Sequence, residues 1–277
     1  MTNATSRIAF IGGGNMARSL IGGLVRNGAS AQNLSASEPN AGLRDSLARE
    51  FTITAHAANA DAARDADVVV LAVKPQVMKS VCEDVRDVVQ STHPLIVSIA
   101  AGITIDQLER WLGGSVAIVR CMPNTPALIG AGATGLCANA RVTSEQRAQA
   151  QGIVDAVGLS RWIDDESAMD TVTALSGSGP AYFFLLVEAL EEAAVAQGLP
   201  RDAARELAAQ TCLGAGRMLR ESDVDAAELR RRVTSPNGTT QAALESFAAD
   251  KFADIVARAV AAARKRGGEL SQQMDTP

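Results

Sequence analysis

Arg7-Ile8-Ala9-Phe10-Ile11-Gly12-Gly13-Gly14-Asn15-Met16-Ala17 decides how the rest of the chain is read. Ile8 to Ile11 is an unbroken apolar run of the kind that forms a parallel strand buried on both faces. It stops at three glycines, and helical spacing begins at once with Met16, Leu20 and Gly23-Leu24. Gly12, Gly14 and Ala17 fit the dinucleotide fingerprint G-x-G-x-x-G/A. The first position needs a tight turn, the second lets backbone approach a pyrophosphate, and the third lets the helix pack close to the strand. The helix start then offers free N–H groups and a partial positive charge to phosphate. A strand before the motif and a helix after it supply the context that the bare motif lacks. A Gly-rich turn in a domain that has lost its ligand is the other reading.

Working outward, the first 165 or so residues alternate strand and helix. Asn33 to Ser37 reads as strand two and Thr52 to Ala55 as a weak third. Asp67 to Val73, continuous and β-branched, is a strong fourth. A helix follows, with Val77, Val81, Val85 and Val88 on one stripe. Leu95 to Ile99 and Val116 to Arg120 read as strands five and six. Ala133 to Ala138 and Arg161 to Ile163 look like extra edge strands, with the helical run Ser144 to Val157 between them. This alternation predicts an α/β fold, a Rossmann-type doubly wound sheet with helices on both faces. From about Ser167 only helical patterns remain. Tyr182 to Gln197 stops at Gly198 with Pro200 beyond, and Pro200 opens another helix. A short helix covers Ala226 to Val233, and a longer one carries Phe252, Ile255, Val256, Ala259 and Val260. The tail after Gly267-Gly268 reads as polar and frayed. The expected domains are therefore 1–165, binding a dinucleotide, and 166–277, all-helical, binding substrate and building an oligomer.

Composition narrows the class. With 277 residues, 47% of them hydrophobic, the chain can bury a large core, and two domains are expected. The first residues lack the apolar core of a signal peptide, and no apolar run approaches the ~18–20 residues that span a bilayer. Cys82, Cys121, Cys137 and Cys212 are scattered, as reduced cytoplasmic thiols are. The formal charge is −5 and the basic residues are dispersed, so neither nucleic acid nor membrane is an expected partner. The run Arg230-Arg231-Arg232 reads as a solvated helix face.

Ligands of open α/β sheets bind beyond the carboxyl ends of the strands. Strand two ends in Ser37-Glu38-Pro39-Asn40, with Glu38 roughly 20 residues past the glycine turn, where an acidic residue takes the ribose hydroxyls of NAD. A carboxylate there repels a 2′-phosphate, yet Ser35 and Ser37 could donate to one if Glu38 faces away, so the choice of dinucleotide stays open. Strand four ends in Ala72-Val73-Lys74-Pro75. Pro75 suits a first helical turn, and Lys74 brings a cation near a phosphate or ribose. Ile99-Ala100-Ala101-Gly102 is small enough for a flat ring to lie against backbone. Met122-Pro123-Asn124-Thr125-Pro126 is a proline-fixed loop carrying the polar groups of Asn124 and Thr125. Two further stretches, Ser176-Gly177-Ser178-Gly179-Pro180 and Ser235-Pro236-Asn237-Gly238-Thr239-Thr240, read as loops before helices near Ala181 and Gln241. Each then offers free N–H groups to a carboxylate or phosphate; capping by Ser178 and Thr239 is the alternative. His56 and His93 make unconvincing catalytic acids, and no Cys/His/Asp cluster has metal spacing, so no metal is expected. An imine substrate suits such a site, because a protonated C=N accepts hydride without further activation.

Together these stretches resemble pyrroline-5-carboxylate reductases. The similarity rests on Phe10 to Ala17, Ala72 to Pro75, Val97 to Gly102, Met122 to Pro126, Leu175 to Tyr182 and Ser235 to Thr240, in that order. The resemblance implies reduction of L-1-pyrroline-5-carboxylate to L-proline with NADPH, NADH being the alternative. It implies cofactor contacts at Ile11, Gly12, Gly13, Gly14, Asn15 and Met16, then at Ser37 and Glu38. Further contacts fall at Asn59, at Ala72, Val73, Lys74 and Pro75, and at Ile99, Ala100 and Ala101. Substrate falls to Asn124, Gly238, Thr239 and Thr240, with the Thr240 hydroxyl near the ring nitrogen and Ser178 beside it as catalytic residues. A homodimer, assembled into a larger homo-oligomer such as a decamer, is implied as well. Members often carry a small residue in place of Glu38 and glycine in place of Asn237; asparagine still tolerates positive φ. Two rivals remain. A β-hydroxyacid dehydrogenase of the 6-phosphogluconate type needs a lysine in the helix after the Gly-Ser-Gly turn, and Ala181 to Gln197 has none. A non-catalytic dinucleotide sensor would have no use for the Gly-Thr-Thr loop.

Overall fold

The computed structural model describes residues 6–274. An eight-stranded sheet forms from β1 (Ile8–Ile11), β2 (Leu34–Ser37), β3 (Thr54–His56), β4 (Val68–Leu71), β5 (Leu95–Ser98), β6 (Ile118–Met122), β7 (Gly132–Ala138) and β8 (Gly158–Trp162). Their order is β3-β2-β1-β4-β5-β6-β7-β8. All neighbours are parallel except β6 and β7, which pair antiparallel with Arg120 opposite Cys137. Strand–helix alternation accounts for the parallel run through β6, and β7, one of the two extra strands expected, joins it antiparallel. Only the turn at Thr125–Ile129 joins β6 to β7, too short for a crossover helix.

Alternate residues of each strand feed two cores, as the period of two requires. Phe10, Val70, Val97 and Val119 pack with Leu20, Ile21 and Leu24 of α1 (Asn15–Arg26), Leu47 of α2 (Ala41–Phe51), and Ile153 and Val154 of α6 (Ser144–Asp155). Ile11, Val69, Ile96 and Ile118 pack on the other face. Their partners are Ala62 and Ala63 of α3 (Asn59–Ala63), Met78, Cys82, Val85 and Val89 of α4 (Pro75–Thr92), and Leu108 and Trp111 of α5 (Ile105–Trp111). The α4 stripe therefore runs through Met78, Cys82, Val85 and Val89, one position on from the expected valines at 77, 81 and 88. Val77 is 47% exposed, because sheet packing selects the face and Met78 and Cys82 fill it as well as valine would.

The rest is helical: α7 (Met169–Val172), a π-helical turn at Thr173–Gly177, α8 (Gly179–Ala196), α9 (Arg201–Glu221), α10 (Ala226–Arg232), α11 (Thr239–Ala249) and α12 (Phe252–Gln273). Two compact units result. One runs to Ser178 and takes in the chain from Ala263 onward; the other is Gly179–Ala262.

Two sequence expectations fail in this half. The stretch Ser176 to Pro180 is not a loop. Helix runs from α7 through the π turn into α8, and the Ser178 N–H, expected to be free, donates to Thr173 O at 2.8 Å. Gly and Ser at successive positions permit the wider turn, where propensity alone suggests a break. Nor is the tail after Gly267-Gly268 frayed. α12 continues to Gln273, and Gln107 Nε2 donates to Ser271 O at 3.1 Å. Buried Arg120 of β6, 4% exposed, anchors the same corner through Glu166 at 2.8 Å and Asp170 at 3.7 Å. In the second unit, Arg231 and Arg232 both pair with Glu228 and stay largely exposed.

Candidate functional site: a dinucleotide crevice and a helix tip

The carboxyl ends of β1, β2, β4 and β5 lie side by side, which brings most of the expected cofactor residues together. Gly12 donates to Ser37 O at 3.0 Å, Ala72 N–H to Ile11 O at 2.8 Å, and Ile99 N–H to Leu71 O at 3.2 Å. Gly12 has φ 103°, and a Cβ there would lie 2.7 Å from Ala72 O and 2.9 Å from Val73 Cγ1. Nothing but glycine fits without moving β4. Gly14, by contrast, faces open space, and as N-cap of α1 it leaves the first N–H groups of Asn15, Met16 and Ala17 without a side-chain cap. An open approach over a glycine to an uncapped helix start is what a pyrophosphate requires.

The rim continues along the sheet. The Ser37 hydroxyl is buried and donates to Asn59 Oδ1 at 2.7 Å; Asn59 Nδ2 in turn donates to Asp84 at 2.9 Å. Glu38 turns inward: Oε2 accepts from Gly13 N–H at 3.3 Å and Oε1 from Asn40 N–H at 3.0 Å. Lys74 is exposed at the start of α4, with Pro75 in the first turn as expected. After β5, Ala100 is buried, Ala101 is exposed and Ile99 is half-buried.

Asn124 follows β6 and is 9% exposed. Its side chain is engaged at both ends: Nδ2 donates to Ser176 O at 2.9 Å, and Oδ1 accepts from Ala133 N–H at 2.9 Å. The sequence signalled its polarity, and the structure shows its partners. This ties the loop after β6 to the start of β7 and to the π turn that ends beside Ser178.

In the second unit, α11 begins at Thr239 with Gly238 as N-cap and no side-chain cap. Asn237 sits at φ 56°, the conformation expected of it, and its N–H donates to Gln241 Oε1 at 2.8 Å. Capping by Thr239 is thereby corrected: Gly238 takes that place because Asn237 closes the turn one residue earlier. Thr240 is half-buried, and the first N–H groups of this helix have no intrahelical acceptor. The helix tip therefore presents donors suited to a carboxylate.

A doubly wound sheet, a glycine turn of this geometry and an all-helical second half define an NAD(P)-dependent oxidoreductase. Comparison with known proteins sharpens the class. Residues 7–102 match a family model described as NADP oxidoreductase, coenzyme F420-dependent, and residues 166–270 match one described as pyrroline-5-carboxylate reductase dimerisation. The chain is 54% identical to the pyrroline-5-carboxylate reductase of Pseudomonas aeruginosa, over 98% of this chain and 99% of that one. Among solved structures, the pyrroline-5-carboxylate reductase of Coxiella burnetii is similar at a TM-score of 0.93 and 43% identity, covering 96% and 98% of the two chains. That of Plasmodium falciparum, solved with NADP bound, is similar at 0.83 and 32%, covering 98% and 99%. The chain belongs to the pyrroline-5-carboxylate reductase family. A 3-hydroxyisobutyrate dehydrogenase at 16% identity and a TM-score of 0.51 shares the fold alone.

The dimerisation match gives the surface of the second unit its meaning. Phe183, Phe184, Leu185, Leu207 and Leu213 are each more than half exposed in the single chain. Exposed apolar side chains grouped in this way mark an interface, in keeping with the dimerisation that describes the family model matched by residues 166–270.

Proposed function

We propose that this chain reduces L-1-pyrroline-5-carboxylate to L-proline with a nicotinamide dinucleotide, the last step of proline synthesis. The observation that carries the reading is the presence, in one chain, of a Gly12–Gly14 turn open to a pyrophosphate and of an uncapped α11 start at Gly238-Thr239-Thr240.

When bound, the reduced nicotinamide supplies the hydride that the C=N carbon accepts. The protein contributes binding and orientation. The backbone at Ile11 to Met16 and the first turn of α1 hold the pyrophosphate, with Asn59, Ala72, Val73, Lys74 and Pro75 along the rest of the dinucleotide. Ile99, Ala100 and Ala101 give a flat ring a smooth bed. Gly238, Thr239 and Thr240 take the substrate carboxylate at the helix tip, and the Thr240 hydroxyl donates toward the ring nitrogen. Ser178 is read as the second catalytic residue that the resemblance implies, and Asn124, expected to bind substrate, is read as serving it by fixing the π turn, since its amide is engaged at both ends. Holding a protonated imine in position supplies most of the rate, since no strong acid is required.

Residues 1–165 are read as the dinucleotide-binding part and 166–277 as the substrate-binding and oligomerising part. Homodimers gathering into a decamer, in the cytoplasm, complete the proposal. The resemblance names NADPH as donor with NADH as alternative, a choice made by residues at the end of β2. Oxidation of NADPH and of NADH in parallel assays with L-1-pyrroline-5-carboxylate tests the activity; no oxidation of either would overturn it.

A further inference from the structure

Groups that could recognise the adenosine ribose cluster at the carboxyl end of β2. Four groups are candidates to hold a 2′-phosphate there: the hydroxyls of Ser35 and Ser37 and the guanidiniums of Arg18 and Arg44. Each is engaged elsewhere. Ser37 is fully buried and donates to Asn59. The Ser35 hydroxyl points to Ala62 O at 3.5 Å. Arg44 donates to the backbone oxygens of Glu38 at 3.0 Å and Pro39 at 3.3 Å. Arg18 donates to Gly13 O at 3.3 Å and to Leu43 O, and pairs with Glu50. The group that does face the glycine turn is an anion. Glu38 is held there from both sides, by Gly13 N–H and Asn40 N–H, and a Cβ on Gly13 would lie 3.2 Å from Glu38 Oε2.

We infer that Glu38 makes this enzyme selective for NADH over NADPH. The inference rests on reading the crevice as the dinucleotide site. Oriented by two backbone donors, the carboxylate is placed to accept from the ribose 2′- and 3′-hydroxyls of NAD. The same half-buried carboxylate meets a 2′-phosphate with like charge at close range, where the repulsion is weakly screened. Arg44 cannot offset it without abandoning two carbonyl oxygens at the turn into α2.

Equilibrium binding of NADH and NADPH to the full-length enzyme, followed by nicotinamide fluorescence with no substrate present, tests this. The wild type is expected to bind NADH at least about tenfold more tightly than NADPH. Glu38→Gln keeps the length and an acceptor for Gly13 while removing the charge, and should bring the ratio close to one by strengthening NADPH binding. Glu38→Ser should carry the preference over to NADPH, with NADH weakened. Equal or tighter binding of NADPH by the wild type would overturn the inference, as would a ratio unmoved in Glu38→Gln. Arg44→Ala should leave the ratio unchanged; a selective loss of NADPH binding would show that Arg44 clamps the phosphate after all and also overturn it. Failure of both dinucleotides to bind would strike the crevice reading itself, a result distinct from binding without preference.

Discussion

Asn124 Nδ2 donates to the carbonyl oxygen of Ser176 at 2.9 Å, supplying a hydrogen that the helix cannot. Four residues on stands Pro180, which has no N–H to give. The same side chain accepts from Ala133 N–H, so one amide joins the loop after β6, the start of β7 and the π turn. Asn124→Ala leaves two backbone groups without partners in a poorly hydrated place and should cost about 2–3 kcal/mol. At this chain length that lowers Tm by roughly 4–10 °C. A melting curve superimposable on the wild type would show that the amide is dispensable.

Thr240 lies in the first turn of α11, whose start carries no side-chain cap, and its hydroxyl is the one proposed to reach the substrate. Thr240→Ala should therefore raise KM for pyrroline-5-carboxylate and lower kcat while leaving dinucleotide affinity and Tm close to wild type. Thr240→Ser should restore much of the activity. Steady-state kinetics on the pair, with an unchanged kcat/KM for the alanine variant, would remove Thr240 from the site.

Gly12 combines positive φ with backbone contact to β4, so even a methyl group is excluded. Gly12→Ala must strain the turn or push Ala72 away, at a cost of order 1–3 kcal/mol. Dinucleotide binding should fall far more than stability does, because the turn proposed to hold the pyrophosphate is what moves. Titration with NADH and a thermal melt on the same sample separate the two effects. Binding within twofold of wild type would contradict this role for the turn.

Glu166 holds the corner where α12 ends. Its Oε1 accepts from buried Arg120 and from Ile105 N–H, both at 2.8 Å. Glu166→Ala leaves Arg120 with Asp170 alone, and a loss of about 2–3 kcal/mol is expected. That is below the usual cost of breaking a fully buried pair, because the Glu166 side chain is 28% exposed. Urea denaturation measures it, and a change under about 0.5 kcal/mol would show that Asp170 suffices.

Burial beneath α4 raises the Cys82 thiol from its ordinary 9.0 to about 12, with neighbouring Glu83 acting in the same direction. Cys121, inside the sheet core, is raised further by burial alone. Above pH 9 the unfolded chain ionises these thiols and the folded chain does not, so stability is intact below pH 9 and falls as pH rises toward 12. Cys82→Ala should flatten that alkaline slope. An unchanged slope in denaturation experiments across this range would assign the alkaline loss to other groups.

Much of this protein was legible because its signals are short-range. Ile8 to Gly14 announces a buried strand, a tight turn and an open helix start within a few residues, and all three depend on local backbone geometry. The β-branched run at Val68–Leu71 and the positive-φ turn at Asn237 were readable for the same reason. What the sequence left open depends on partners distant in the chain. Whether Ser176 to Pro180 breaks or continues as helix turns on an amide donated from Asn124, 52 positions away. Whether the tail after Gly268 frays turns on Gln107, and the antiparallel β7 follows from a connection too short to cross over. Ser37 and Glu38 show the division most sharply. Residue types alone allowed either to face the ribose; packing buried the hydroxyl against Asn59 and fixed the carboxylate on Gly13, because a side chain's direction is set by the donors and neighbours that the fold gathers around it.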